Sequence, residues 1–208
     1  VAGDFYQTFS SLVNELFNKY NINTCYQVKH ILAQAKIETK RFRSFQESLN
    51  YTRASYTAEK LYRLSPTIIN NGFARKGMGA YTRAQKIQYI DNNLIQNDAA
   101  YAEHCYGNND YPNRDYRGRG LLHLTHFQGY SDFKDHSGVD VLSDPCLLVN
   151  DMHVAIQSGV WFWEKNNIGS LAINGSSSVV RHITSVINPA LHQLDAHSDL
   201  CEHRFWSI

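Results

Sequence analysis

Glu38 and Glu47 are the residues best suited to chemistry, because they place two carboxyl groups nine residues apart in a stretch that also carries aromatic and cationic side chains. Hydrolysis of a glycosidic bond needs one protonated carboxyl group to donate to the leaving oxygen. It needs a second, ionised one to activate water or attack carbon from the other side. The spacing therefore indicates an acid and base pair, which the surrounding elements must position.

Glu38 continues an apolar helical stripe formed by four preceding residues, Val28, Ile31, Leu32 and Ala35. Desolvation on such a face disfavours the charged form of a carboxyl group, as a general acid working near neutral pH requires. Glu47 is expected beyond the helix, in a polar segment where it stays ionised. The alternative is that Glu38 pairs with Lys40 or Arg41 and that Glu47 is a solvated loop residue.

Length and composition predict one domain over residues 1–208, which could be cut from a longer protein. A hydrophobic content of 43% excludes wholesale disorder. No apolar run reaches the length of a membrane span, and no signal peptide is visible at the start.

Charge is distributed unevenly along the chain. Residues 1–130 hold 16 Lys and Arg against 10 Asp and Glu, whereas residues 131–208 hold 4 against 9. The basic part indicates an anionic partner, either nucleic acid or the bacterial wall polymer. Since no basic run or groove-reading motif is present, nucleic acid is the weaker choice.

Cysteine and histidine spacing favours neither a metal centre nor a thiol nucleophile. Cys25, Cys105, Cys146 and Cys201 form no CxxC pair, and they could equally make up to two disulfides in an oxidising compartment or remain free thiols. The pairs His123/His126 and His192/His197 do not form HExxH. A cysteine peptidase or amidase is disfavoured because no cysteine has an activating context. The chain is therefore expected to work without a metal or organic cofactor.

The periodicity predicts an all-α fold. Helices are expected over about 4–20, 24–38, 57–64, 82–95, 98–106, 127–133, 150–163, 177–187 and 191–205. Thr24/Gln27 and Thr82/Gln85 have capping-box spacing, and the apolar helix ending at Trp163 is expected to be the central buried one. Residues 41–56 and 70–80 are predicted as loops, and 107–120 as an ordered surface loop.

Three blocks of sequence resemble the glycoside hydrolase family 19 domain of chitinases and phage endolysins. They are AQAKIET with the following ESLNYT (33–39 and 47–52), YGN with DYRGRGLLHLT (106–108 and 115–125), and ITSVIN (183–188). The blocks stand in family order over about residues 33–188. The resemblance implies a lysozyme-like helical fold with two lobes and a substrate cleft between them.

By position, the resemblance assigns the general acid to Glu38, the second carboxylate to Glu47 and a water-holding hydroxyl to Thr125. Nine-residue spacing of the glutamates resembles the peptidoglycan-cleaving branch of the family. An arginine of the RGRG run could orient a carboxylate, and tyrosines could stack on sugar faces, although a tight turn and simple packing are the alternatives. The predicted substrate-binding residues are Tyr51, Tyr106, Asn108, Tyr116, Arg117, Arg119 and Asn188.

Several positions depart from the family pattern: His123 stands where Gln is usual, Gly129 where Asn is common, Pro189 where Gly follows Asn, and Lys40-Arg41 where Gly-Gly is familiar. These departures leave open a wall-binding module that has lost catalysis, and a chitinase is the other alternative. The sequence thus predicts an inverting N-acetylmuramidase that acts as a monomer on peptidoglycan glycan strands. The resemblance places it in the periplasm or cell wall, as a phage endolysin or a secreted antibacterial effector, the latter with an immunity protein as a possible partner.

Overall fold

The structure is a computed structural model that describes residues 2–188. The described chain divides into two compact units. The first contains the residues up to Phe45, the segment Gly120–Leu124 and the residues from Leu148 on; the second contains Gln46–Arg119 and Thr125–Leu147. The helix expected over 191–205, together with Cys201, His192 and His197, lies outside the described residues.

Ten α-helices account for most of the described chain, and the all-α prediction is confirmed. They are α1 (Ala2–Lys19), α2 (Cys25–Glu38), α3 (Ala58–Leu64), α4 (Pro66–Arg75), α5 (Arg83–Tyr89), α6 (Asp98–Tyr106), α7 (Phe127–Ser137), α8 (Leu147–Asn150), α9 (Met152–Lys165) and α10 (Ser177–Ile187). A π-helical turn, Ile90–Leu94, extends α5, and a 3₁₀ turn, Ile168–Ser170, follows α9. Extended pairing in the described residues is limited to two isolated bridges, Gln46 with Arg119 and Gly107 with Asp115.

The first unit is built around α9, which is buried along most of its length as its apolar sequence predicted. Helix α1 packs on α9, and α2 packs on α10, where Gln34 donates a hydrogen bond to Thr184. Apolar side chains of these four helices and of the segment 120–124 form one core, which includes Leu16, Ile31, Leu121, Ile156, Trp163 and Ile183. Side chains of the segment that carries His123 are thus part of the core of this unit.

The second unit has its own core between α3, α4, α6 and the π-helical turn. Its buried apolar residues are Leu49, Ala58, Leu61, Ile69, Phe73, Ile90, Leu94, Ile95, Tyr101 and Ala102. Leu49, which lies two residues after Glu47, therefore anchors the Glu47 loop in this core.

Helix α4 corrects the predicted loop over 70–80. Its Asn and Gly residues are typical of loops, but Pro66 occupies the first helical turn, where a missing N–H costs nothing, and Ile69 and Phe73 bury one face. Gly72 is needed for contact with α6, since a Cβ there would stand 2.1 Å from the His104 carbonyl oxygen. The glycine that indicated a loop instead permits two helices to approach closely.

Helix ends were predicted with mixed success. Both capping boxes are present, at Thr24 and at Thr82. Asn97 caps α6 by accepting from the Ala100 amide, and Asp151 caps α9 by accepting from the amides of His153 and Val154. Among residues 2–188, no helix has the length and apolar character needed to cross a lipid bilayer.

Candidate active site

Glu38 is the last residue of α2, and its side chain is 12% exposed. Helix α2 buries Ile31 and Ala35 from the stripe that leads to it. The carboxyl group therefore lies at the edge of an apolar face, as the sequence predicted, while keeping some access to solvent.

The chain turns sharply after Glu38, and Thr39 holds this turn. The Thr39 hydroxyl donates to the Ala35 carbonyl at 2.5 Å and accepts from the Phe42 amide at 2.9 Å. Lys40, Arg41 and Phe42 all have positive φ, at 50°, 64° and 60°. A left-handed run of three residues with Cβ atoms is costly and fixes the direction in which the chain leaves Glu38.

Glu38 pairs with His123 rather than with Lys40 or Arg41. The His123 Nδ1 atom lies 3.3 Å from Glu38 Oε2, and the two side chains are 16% and 12% exposed. This partner was missed in the sequence because 85 residues separate the two positions. The departure from the family pattern at His123 was the one signal that pointed to it.

His123 is presented by the segment Gly120–Leu124, which lies along α9. The Leu121 amide donates to the Ala155 carbonyl at 2.9 Å, and Gly159 on α9 leaves room for the Leu121 side chain. His123 itself has a φ of 49°. A strained backbone within a well-anchored segment is typical of residues held for function.

Glu47 lies in the second unit, in the predicted loop, and is half-buried. Its amide donates to the Gly118 carbonyl at 2.9 Å, next to the bridge between Gln46 and Arg119. The Glu47 backbone is thus fastened to the RGRG run, which argues against a mobile, purely solvated residue.

Tyr51 and Tyr106 lie close enough to Glu47 to sense its charge. Burial and then the Glu47 carboxylate raise the pKa of Tyr51 to about 12. The same two causes raise the pKa of Tyr106. Both hydroxyls therefore stay protonated at neutral pH, so they can donate hydrogen bonds within this unit.

Arg117 and Arg119 are buried, at 3% and 4% exposure, and their substrate binding stays a prediction. Arg117 forms ion pairs with Asp115 and Asp98, and Arg119 pairs with Asp115 and donates to Gln46 at 2.7 Å. Burial alone would raise the pKa of Asp115, but hydrogen bonding from Arg117 and the charges of both arginines lower it. The arginines act by holding the Glu47 loop, with Asp98, Asp115 and Gln46 as partners that the sequence did not reveal.

Tyr116 is fully buried in the second unit. Its hydroxyl donates to the Leu142 carbonyl at 3.0 Å, and the ring packs edge-on against Phe127 and Tyr130. These contacts favour the packing alternative for Tyr116, and its predicted role in substrate binding stays a prediction.

Thr125 is half-buried, and in the sequence it lies between His123 and His126, which have positive φ values of 49° and 69°. In the second unit, the His126 ring lies beside Tyr106 with ring centroids 5.5 Å apart, and burial lowers the pKa of His126. The His126 imidazole is therefore neutral at neutral pH and adds no positive charge beside Tyr106.

Comparison with known proteins decides the family. The family model described as Chitinase class I, glycoside hydrolase family 19, matches residues 9–176, which is most of the chain. The chain belongs to this family. It is therefore a glycoside hydrolase of family 19, as the resemblance implied.

One solved structure that this glycoside hydrolase matches is that of chitinase C from Streptomyces griseus HUT6037. The identity is 18%, the match covers 85% of this chain and 75% of that chain, and the TM-score is 0.25. Since a TM-score this low supports no structural argument, the assignment rests on the family model. Comparison with curated proteins found no match.

Asn108 and Asn188 complete the predicted site residues of this family 19 hydrolase. The Asn108 side chain accepts from the Asp110 amide at 2.8 Å and so shapes its own loop. Asn188 is half-buried at the end of α10, where its amide donates to the Thr184 carbonyl. Their predicted substrate contacts stay predictions.

Within 2–188, no group of three or more His, Cys, Asp or Glu side chains is placed to hold a metal ion. Cys25 and Cys146 are exposed free thiols, whereas burial raises the pKa of the Cys105 thiol to about 12. Cys105 is thus a poor nucleophile at neutral pH.

Proposed function

We propose that this glycoside hydrolase cleaves the β-1,4 glycan strand of bacterial peptidoglycan as an N-acetylmuramidase. Glu38 is the general acid, Glu47 the general base, and the Thr125 hydroxyl helps to hold the attacking water. The observation that carries the proposal is the mostly buried Glu38 carboxyl group, held at the end of α2 in a chain whose family hydrolyses glycosidic bonds.

Exposed cations next to Glu38 support an anionic polymer as substrate. Lys40, Arg41 and Arg43 are all exposed, and in the part of the chain that the structure describes none of them forms an ion pair. Peptidoglycan carries carboxylates on its stem peptides, whereas chitin is neutral. The basic turn therefore favours peptidoglycan over chitin.

Chitin hydrolysis is the second candidate, and the description of the matched family as Chitinase class I favours it. Purified peptidoglycan and colloidal chitin should be digested in parallel, and the new reducing ends identified by mass spectrometry. We expect new ends on muramic acid. Ends on glucosamine would indicate a glucosaminidase, release from chitin alone would indicate a chitinase, and a peptide cut would indicate an amidase.

Glu38→Gln tests the acid directly, because the amide keeps the shape of the side chain and has no acidic proton to transfer. General acid catalysis contributes roughly 10²- to 10⁴-fold, so wall hydrolysis should fall by that factor. Glu15→Gln, at an exposed position of α1, is the matched control and should retain full activity. Activity of Glu38→Gln within tenfold of wild type would exclude Glu38 from this role, and chelation by EDTA should leave wild-type lysis unchanged.

The mechanism that we propose is inverting, with water activated by Glu47 and no covalent intermediate. Proton NMR of the freshly cut reducing end should show the α-anomer first. Early appearance of the β-anomer would make Glu47 a nucleophile. The proposed site of action is the periplasm or cell wall, reached as a monomeric phage endolysin or as an injected effector countered by an immunity protein.

A further inference from the structure

Glu38 and His123 form a pair that the assigned roles do not use. The two side chains come from α2 and from the segment Gly120–Leu124 of the same unit, and they meet with Nδ1 and Oε2 3.3 Å apart. Both are mostly buried, so water does not readily replace either partner.

Each partner is held by its own backbone. The turn after Glu38 is fastened by Thr39, whose hydroxyl bridges Ala35 and Phe42. The segment before His123 is fixed on α9, where a Cβ at Gly120 would stand 2.3 Å from Ser158 Oγ. Two anchored backbones that converge on one contact favour a defined geometry for that contact.

We propose that His123 is a positioning residue for Glu38, which it holds by donating a hydrogen bond from Nδ1–H to Oε2. This inference rests on the proposed role of Glu38 as general acid. With Oε2 engaged, the acidic proton resides on Oε1 and faces the substrate.

The contact also acts during the proton transfer. The Oε1 proton passes to the glycosidic oxygen as the bond from that oxygen to the anomeric carbon breaks, and the electron pair of the O–H bond stays on Glu38. The neutral N–H···O contact then becomes a hydrogen bond to a carboxylate, which is shorter and stronger. His123 keeps its own proton throughout and stabilises the carboxylate more than the acid, which is the condition for a catalytic effect.

Three variants test this role by steady-state kinetics on purified walls. His123→Leu removes the donor at similar volume, His123→Gln restores an N–H donor, and His182→Gln, at an exposed position of α10, is the control. We expect His123→Leu to lower kcat roughly 10- to 100-fold with little change in KM, as misplacement of a catalytic group does. His123→Gln should recover most of that loss, and the control should match wild type.

Imidazole NMR of the ¹⁵N-histidine-labelled protein gives a readout that needs no activity. Glu38→Gln should shift the His123 Nδ1 resonance and leave the His182 resonances unchanged. An unshifted His123 resonance, or a His123→Leu variant with wild-type kcat, would overturn the positioning role. Should the leucine variant not fold, the NMR comparison still decides.

Different results would overturn the general-acid role of Glu38 and the positioning role of His123. Full activity of Glu38→Gln would overturn the general-acid assignment even if the NMR shift is present. Inactive Glu38→Gln together with fully active His123→Leu would overturn only the positioning role.

Discussion

Gly120 faces Ser158 of α9 so closely that a Cβ at residue 120 would stand 2.3 Å from the serine Oγ, and its φ is +82°. Gly120→Ala should therefore lower the free energy of unfolding by about 1–3 kcal/mol, since alanine disfavours this backbone region and crowds α9. Urea denaturation followed by circular dichroism measures the change. Gly138→Ala is the matched control, because Gly138 has a φ of +75° but nothing within 4 Å of its Cβ position. Equal losses in both variants would show that contact with α9 does not matter.

Glu47→Gln tests the proposed base. The amide cannot accept the proton of the attacking water, so turnover should fall roughly 10²- to 10⁴-fold. The backbone N–H of residue 47 keeps its hydrogen bond to the Gly118 carbonyl, so the free energy of unfolding should change little. Glu164→Gln, at an exposed position of α9, should be silent in the same reducing-sugar assay. Turnover of Glu47→Gln close to that of wild type would contradict the role of general base and support the alternative that Glu47 is a solvated loop residue.

Thr125→Val replaces the proposed water-holding hydroxyl by a methyl group of similar size. Turnover should fall about 10- to 100-fold because the water is no longer oriented, while the thermal midpoint stays near that of wild type. Thr125→Ser should recover activity, and Thr67→Val, at an exposed position of α4, should have no effect. A fully active Thr125→Val would remove this residue from the mechanism.

Lys40 and Arg41 adopt left-handed backbone where the family pattern has glycines. Lys40→Gly and Arg41→Gly should each raise the free energy of unfolding by up to about 1 kcal/mol, the relief of strain exceeding the added entropy of the unfolded chain. Lys36→Gly, on α2, should instead lower it by about 1 kcal/mol. Urea denaturation compares the three variants, and loss of stability at both positions 40 and 41 would contradict the strain argument. A rise in the KM for peptidoglycan in these two variants would measure the contribution of the cations.

The buried side chain of His104 should make the free energy of unfolding depend on pH. Burial lowers its pKa from 6.5 to about 4, and its Nε2 donates to the Ile69 carbonyl at 3.0 Å. Below pH 6.5 the unfolded chain binds a proton that the folded chain does not take up until about pH 4. Stability is therefore full above pH 6.5 and declines toward pH 4, by on the order of 3 kcal/mol from this group.

His104→Gln isolates that contribution, because glutamine has an N–H donor and no titration in this range. The wild type should lose more stability than the variant between pH 6.5 and pH 4 in urea unfolding. Parallel stability curves for the two proteins would show that His104 is not the source.

Local sequence signals predicted much of the helical structure. The capping boxes at Thr24 and Thr82 and the bounds of α10 followed from side chains that act within one turn of the chain. Helix α4 was missed because Gly72 is explained only by its contact with α6, which no local pattern encodes.

In the candidate site, too, local features could be predicted from the sequence, whereas contacts between distant segments could not. The burial of Glu38 followed from a stripe on its own helix, but its pairing with His123 depends on packing of a distant segment. The arginines of the RGRG run were expected at the surface, since charged side chains usually are, and only the positions of Asp98 and Asp115 explain their burial.

Asp115 is the shared acceptor of two buried guanidinium groups, and this restricts how the loop around it can evolve. Changing Asp115 alone would leave buried Arg119 without its carboxylate partner and Arg117 with Asp98 as its remaining one, so substitution at Asp115 is costly unless the arginines change as well. The exposed residues just before them, Pro112, Asn113 and Arg114, carry no such constraint from this network. Among close homologues, we therefore expect substitutions to be more frequent at residues 112–114 than at Asp115.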